Sequence, residues 1–370
     1  MPRFSPIRLA LARERRGMTK RALAEAAGVS TRSLSAYESD NADQEPSSET
    51  VRRLAEALGF PESYFTGPDL PEPRLAAASF RALSTLTARQ QKQAFASAWY
   101  ASSLATWIDD QFVLPSIDVP KLTGVDPETA AEAVRQEWGL GQRPVSNMIH
   151  LLEAHGTRVF SLADECAEID AYSFWNSDGL PYVFLNTLKT AERSRMDAAH
   201  ELGHLVLHWG HDRPRGRAAE TEAKRFGSAF LMPRGSVLAE ARAGARLSHL
   251  IQDKRRWGVS AAALAYRMHD LGLLSDWQYR SVYIELSEQG FRKTEPNGMQ
   301  RESSQVLLKV FGSLADEQLG RTHVAETLQI PVAELDKVVF GLALTPVGGD
   351  IPPRAATSKS GERHLRLVGD

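Results

Sequence analysis

His200-Glu201-Leu202-Gly203-His204 sets two imidazoles four residues apart with a carboxylate beside the first. Residues four apart lie on one face of an α-helix, so both rings can aim at one metal ion. Glu201 then stands close enough to deprotonate a metal-bound water without itself ligating. A catalytic zinc site takes three protein ligands and leaves the fourth position to water, whose pKa falls to about 7 on the metal. The chemistry this pattern points to is hydrolysis, and it requires a third ligand further along the chain.

That ligand is expected from a second amphipathic helix. After a polar stretch over residues 210–219, Ala223, Phe226, Ala229 and Phe230 recur at helical spacing, and the pattern closes near Pro233. Glu220 shares a side with Ala223 and is the better third ligand, with Glu222 as the fallback. His208 continues the face of His204 at i+4, but three ligands are already supplied, so a place behind the ligands or at the surface is expected for it. A strand-like run, Tyr182-Val183-Phe184-Leu185-Asn186, precedes the histidine helix.

The stretch from Asp170 to Pro233 resembles the ImmA/IrrE family of metallopeptidases. The resemblance rests on Asp170-Ala171-Tyr172-Ser173-Phe174-Trp175, Phe184-Leu185-Asn186, Arg193 and Arg195 ahead of the His-Glu-Leu-Gly-His helix, and Glu220, Ala223 and Phe226 leading to Leu231-Met232-Pro233. It implies zinc (Zn2+) on His200, His204 and Glu220, Glu201 as the base, and cleavage of helix-turn-helix repressors. Lys224 departs from the Asn or Asp usual in the family.

The wider chain is that of a globular protein. Its 370 residues are 42% hydrophobic and 24% charged, enough for two or three cores. No run of about 18 apolar residues and no signal-peptide core appear, so no membrane partner is expected and the cytoplasm is the default location. The single cysteine, Cys166, excludes an intrachain disulfide framework. It reads as a small buried hydrophobe; a thiolate silencing the zinc position is the less favoured alternative.

The net charge of −2 conceals a local excess. Residues 1–37 hold Arg3, Arg8, Arg13, Arg15, Arg16, Lys20, Arg21 and Arg32 against Glu14 and Glu25, an electrostatic footprint suited to phosphate. A first helix ends at Gly17, and Thr19 caps a second over residues 20–27. Gly28-Val29-Ser30 turns into a third over 31–39, and Ser47 and Ser48 cap a fourth that runs to Gly59. Thr19 to Ser30, with Leu34 and Tyr37-Glu38, resembles the Xre/Cro type of helix-turn-helix. That resemblance implies a double-stranded DNA operator, with Ser30, Thr31, Arg32, Ser33 and Ser35 at base edges and Lys20 and Arg21 on phosphate. Arg32 is the expected sequence reader, because a guanidinium can bond two acceptors of guanine.

The expected organisation has five parts: the helix-turn-helix domain at 5–66, a helical linker region at 67–120, the metallopeptidase domain at 121–240, a helical region at 241–346 and a disordered tail at 347–370. Pro68, Pro71 and Pro73 mark a stiff break after the head. Phe95, Trp99, Tyr100, Leu104 and Trp107 give residues 75–112 an aromatic helical face, read as core or oligomer contact. Helices at 127–138 and 145–155 lead to strands at 158–162, 170–175 and 182–186, the last placed to hold an extended peptide by edge pairing. Residues 257–267 have a turn-then-helix rhythm, expected as an extension packed on the peptidase, and a helix pair is expected at 318–328 and 331–342. The fold class is mainly α, with an all-α head, an α+β zincin-like peptidase domain and a helical C-terminal region.

Two functions fit these elements. The first is a DNA-tethered zinc endopeptidase that cuts a regulator, a helix-turn-helix repressor or antitoxin, with Tyr172, His208 and His211 as candidate oxyanion partners by type. The second is a non-proteolytic transcription factor whose peptidase-like domain senses zinc or stress. Repressor-type heads read paired half-sites, so a homodimer is expected.

Overall fold

A computed structural model of the chain describes residues 3–39, 45–67, 69, 87–162, 169–210, 216–291 and 294–343. Cys166, His211, the three prolines after the head and the tail lie outside these residues.

Capping chemistry draws the head. Helix α1 (Pro6–Arg15) starts at Ser5, whose Oγ accepts from the Arg8 N–H, with Pro6 in the first turn. Thr19 and Ser30 cap α2 (Lys20–Ala27) and α3 (Thr31–Tyr37) in the same way, and Ser47 caps α4 (Ser48–Leu58). Gly28 ends α2 at φ +65°, a left-handed conformation that costs a residue with a Cβ about 1 kcal/mol. The third helix stops at Tyr37, short of the expected Ser39. Leu9, Leu23, Leu34, Leu54 and Leu58 meet inside, closed by Tyr64 and Phe65 of a 3-10 turn (Glu62–Thr66).

Helix α5 (Ala88–Gln111) joins the head to the remainder of the chain. Tyr100 shares a hydroxyl contact of 2.8 Å with Tyr64, and further along Asp109 accepts from Arg158 at 2.7 Å. The aromatic stripe is core, as expected: Trp99, Tyr100 and Leu104 are buried. Helices α6 (Pro127–Glu137) and α7 (Met148–Ala154) come next, capped by Asp126 and Asn147.

Three strands form one sheet: β1 (Arg158–Ser161), β2 (Ala171–Trp175) and β3 (Pro181–Leu185). The order is β1-β3-β2, with β1 parallel and β2 antiparallel to β3. The strand before the histidine helix is therefore central, not the peptide-pairing edge expected of it. Every residue of β3 is buried, the signature of a strand covered on both faces, and both of its ladders are occupied.

Helix α8 (Ala191–Leu207) starts at the Thr190 cap, and α9 (Arg217–Leu231) begins three residues before Glu220. Their backbones touch. A Cβ on Gly203 would lie 3.1 Å from the Ala223 Cα, and one on Gly227 would lie 2.9 Å from the His200 nitrogen. The remaining helices are α10 (Arg234–Glu240), α11 (Leu247–Asp253), α12 (Ala261–Asp270), α13 (Asp276–Glu288), α14 (Gln305–Asp316), α15 (Arg321–Leu328) and α16 (Val332–Val339). The turn-then-helix segment docks as expected: Arg267 of α12 donates to the Met232 carbonyl and to Glu128, each at 3.0 Å. Helix α14 falls within the helical region expected at 241–346, although not placed there individually, and the expected pair beyond it is present in shortened form as α15 and α16.

Candidate metal centre and DNA-binding head

The α8–α9 crossing puts Glu220 over the two histidines. His200 Nε2 and His204 Nε2 stand 3.0 Å apart, and Glu220 approaches them at 3.3 and 3.5 Å. Among the described residues these three alone form a group able to hold a metal ion. Tetrahedral zinc with bonds of about 2.0–2.1 Å separates its ligands by roughly 3.3 Å, so this nitrogen, nitrogen and oxygen set fits the ion in both type and spacing. The neighbouring imidazoles, His200 foremost and then His204, hold the Glu220 carboxyl well below the usual carboxylate range, against its partial burial. Burial works against the charge of His200, but Glu220, Glu201 and Asp197 together raise its pKa.

Glu201 is buried beside the cluster. Its carboxylate accepts from the Ser173 hydroxyl of β2 at 2.6 Å, and the same hydroxyl reaches the Glu201 carbonyl at 3.2 Å. Two residues on, Trp175 donates to the Leu205 carbonyl at 3.1 Å, so alternate residues of β2 dock against α8. Ser173 was missed from the sequence. Its strand and alternation are legible there, but nothing local says which face meets the helix.

Other expected participants lie elsewhere. Tyr172 is no oxyanion partner: its hydroxyl is buried and donates to the Ala94 carbonyl at 2.9 Å. His208, also buried, faces His204 and Glu222. Glu222 sits two residues from Glu220, about 200° around α9, and so meets His208 and not the candidate metal group. Lys224 lies over the Tyr266 ring of α12 at 4.5 Å.

In the head, Ser30, Thr31 and Arg32 at the start of α3 are exposed, and Ser33 and Ser35 are half-buried. The Ser30 oxygen is engaged as the helix cap. Arg21 is exposed and pairs with Glu25 at 2.9 Å, whereas Lys20 leans on Glu38 at 3.3 Å. The basic excess is smaller at the surface than its count implies. Arg8, Arg13 and Arg15 are buried, and Arg13 forks onto Glu38 while Arg15 and Arg16 reach Glu334. A guanidinium held by an internal carboxylate is not available to phosphate.

Residues 152–269 match the family described as IrrE N-terminal-like domain, a peptidase family, and residues 9–65 match the helix-turn-helix family. The chain joins an Xre-type helix-turn-helix to an IrrE-like peptidase domain. No curated protein matches it. The two matched segments support a DNA-binding regulator with a peptidase-type domain, and the histidine helix and all but the last residue of α12 fall inside the peptidase match. No described helix is long and apolar enough to cross a membrane.

Proposed function

We propose that this protein is a zinc endopeptidase carried on a DNA-binding head. In this reading it acts in the cytoplasm and cuts a regulatory protein, a helix-turn-helix repressor or antitoxin, to change expression of the genes near its operator. The observation that carries the reading is the triangle of His200, His204 and Glu220 with buried Glu201 held beside it by Ser173. His200, His204 and Glu220 would hold the ion, which when bound supplies a Lewis acid for the peptide carbonyl and acidifies water. Glu201 takes the proton of the attacking water at its carboxylate and passes it to the leaving amine. Ser173 keeps that carboxylate in one orientation. The division of labour follows the five segments read from the sequence, with 5–66 on DNA as a homodimer through Ser30, Thr31, Arg32, Ser33 and Ser35 at base edges and Lys20 and Arg21 on phosphate.

The test is to compare new protein N-termini in cells carrying wild-type chain or Glu201→Gln. A cut regulator is expected with the wild type only, at equal zinc content in the two proteins. Equal cleavage in both sinks the mechanism. The buried contact of Arg15 with Glu334 favours a second reading, in which zinc occupancy alters operator binding without cleavage. Operator affinity that responds to zinc equally in both proteins, with no cut regulator, would select it.

A further inference from the structure

His208 is 4% exposed, and both of its ring nitrogens are engaged. Nδ1 lies 2.9 Å from His204 Nδ1, and Nε2 lies 3.1 Å from Glu222 Oε2. His200, His204 and His208 succeed one another at i, i+4 and i+8 along α8, while Glu220 and Glu222 reach the same row from α9. We infer that Glu222 and His208 form a positioning relay that holds His204 in its Nδ1–H tautomer, with the Nε2 lone pair aimed at the metal site.

The chemistry of the donors gives the relay one direction. A carboxylate only accepts, so Glu222 calls for a proton on His208 Nε2. The Nδ1 of a neutral His208 is then a lone pair, which must accept from His204 Nδ1–H. His204 Nε2 is left without a proton, facing His200 Nε2 at 3.0 Å, and the Glu220 carboxylate takes its proton contact from His200 Nε2–H at 3.3 Å. The opposite direction would set the His208 Nε2 lone pair against the Glu222 carboxylate. The proton positions follow from this hydrogen-bond network and not from observed hydrogens. A ligating histidine whose other nitrogen is bonded keeps its tautomer and ring angle, and loss of such a partner typically costs 10–100-fold in metal affinity. Here a histidine stands between ligand and carboxylate, so the orienting charge comes from α9, the helix that also supplies Glu220.

The inference rests on the metal-site reading, and its test separates the two. Histidine tautomers are read by 15N NMR on the zinc-free full chain, and zinc affinity by competition with a chromophoric chelator. Wild type is expected to show His204 protonated at Nδ1. In Glu222→Ala and His208→Phe the Nε2–H form should appear and the zinc Kd should rise about 10–100-fold, while Glu222→Gln, whose amide oxygen still accepts, should stay within about 3-fold. Glu222 is 36% exposed, so Glu222→Ala carries the test if His208→Phe does not fold. A His204 tautomer unchanged in Glu222→Ala overturns the relay, whatever the zinc affinity does. A wild type that binds no zinc overturns the metal site, and the tautomers still decide the relay.

Discussion

Arg15, in the first helix of the head, donates through Nε to Glu334 of α16 at 2.6 Å, and both side chains are buried. Arg16 reaches the other carboxylate oxygen at 2.8 Å, and Arg15 also donates to Ser97 of α5 at 2.9 Å. Just beyond α16, the Phe340 carbonyl accepts from Thr187, which comes after β3. The helix that neutralises the head's arginines is thus joined directly to the chain that leads from the sheet into the histidine helix.

Replacing Glu334 by Gln leaves Arg15 buried without a counter-charge, and a loss of about 3–5 kcal/mol is expected. Burial opposes the Glu334 charge, but Arg15, Lys337 and Arg16 hold its pKa at about 2, against 4.5 as the unperturbed value. Because the folded pKa is depressed, the contribution is present above pH 4.5 and is lost as pH falls through about 2; it amounts to about 3 kcal/mol. Urea unfolding of wild type and Glu334→Gln across that range checks this. Parallel pH profiles would remove the pair from the stability account.

Glu153 carries the opposite sign. Burial pushes its carboxyl up to about 7, although Ser304 Oγ and the backbone nitrogens of Val306 and Gln305 donate to it at the start of α14. A raised folded pKa means that its contribution is complete below pH 4.5 and is lost as pH rises through about 7. Wild type should lose about 3 kcal/mol between pH 5 and 8 from this group, and Glu153→Gln should lack that component, so the two pH profiles diverge by it. Equal slopes for the two proteins would be the contrary result.

Ser173→Ala removes the donor to Glu201 and leaves the three candidate ligands untouched. A hydrogen bond to a charged group is worth about 1.5–3 kcal/mol, so turnover of the cut regulator should fall about 10–100-fold with zinc content unchanged. Unchanged kcat would show that Glu201 does not need the hydroxyl.

Zinc should stabilise the folded chain, by about 2.7 kcal/mol at a hundredfold excess over its Kd. Glu220→Ala should abolish most of that gain, and chelator should reverse it in wild type. Calorimetric melts with and without zinc decide the point, and equal gains in both proteins would exclude Glu220 as a ligand.

On DNA selected by the protein from a random library, Arg32→Ala should cost about 1–3 kcal/mol and relax preference at one base position. Arg21→Ala should weaken all sequences alike and lower the salt slope by about one. Sequence-independent loss from Arg32→Ala would move that residue from base reading to phosphate.

Much of the fold was legible because its causes are local. Thr19, Ser30 and Ser47 cap their helices as read, the second helix spans Lys20–Ala27, and the three strands fall within a residue or so of their apolar runs. Helix α14 also has a local cap, Ser304; what no local pattern shows is that Glu153, about 150 residues away in the chain, accepts from its first turn. The basic excess misled for a related reason. Counting arginines cannot show that Arg8, Arg13 and Arg15 turn inward, or that the strand ahead of the histidines lies between two others.

By itself the sequence determined the face shared by His200 and His204, because helical spacing is a property of the backbone alone, and the helix-turn-helix, because caps act over three or four residues. Only the tertiary structure decided that Glu220 joins those histidines while Glu222 takes His208, and that Ser173 holds Glu201. Those choices depend on how closely two helices approach, which the contacts at Gly203 and Gly227 set, and on which face of a strand meets a helix. Distances between remote segments are products of packing, and no local pattern encodes them.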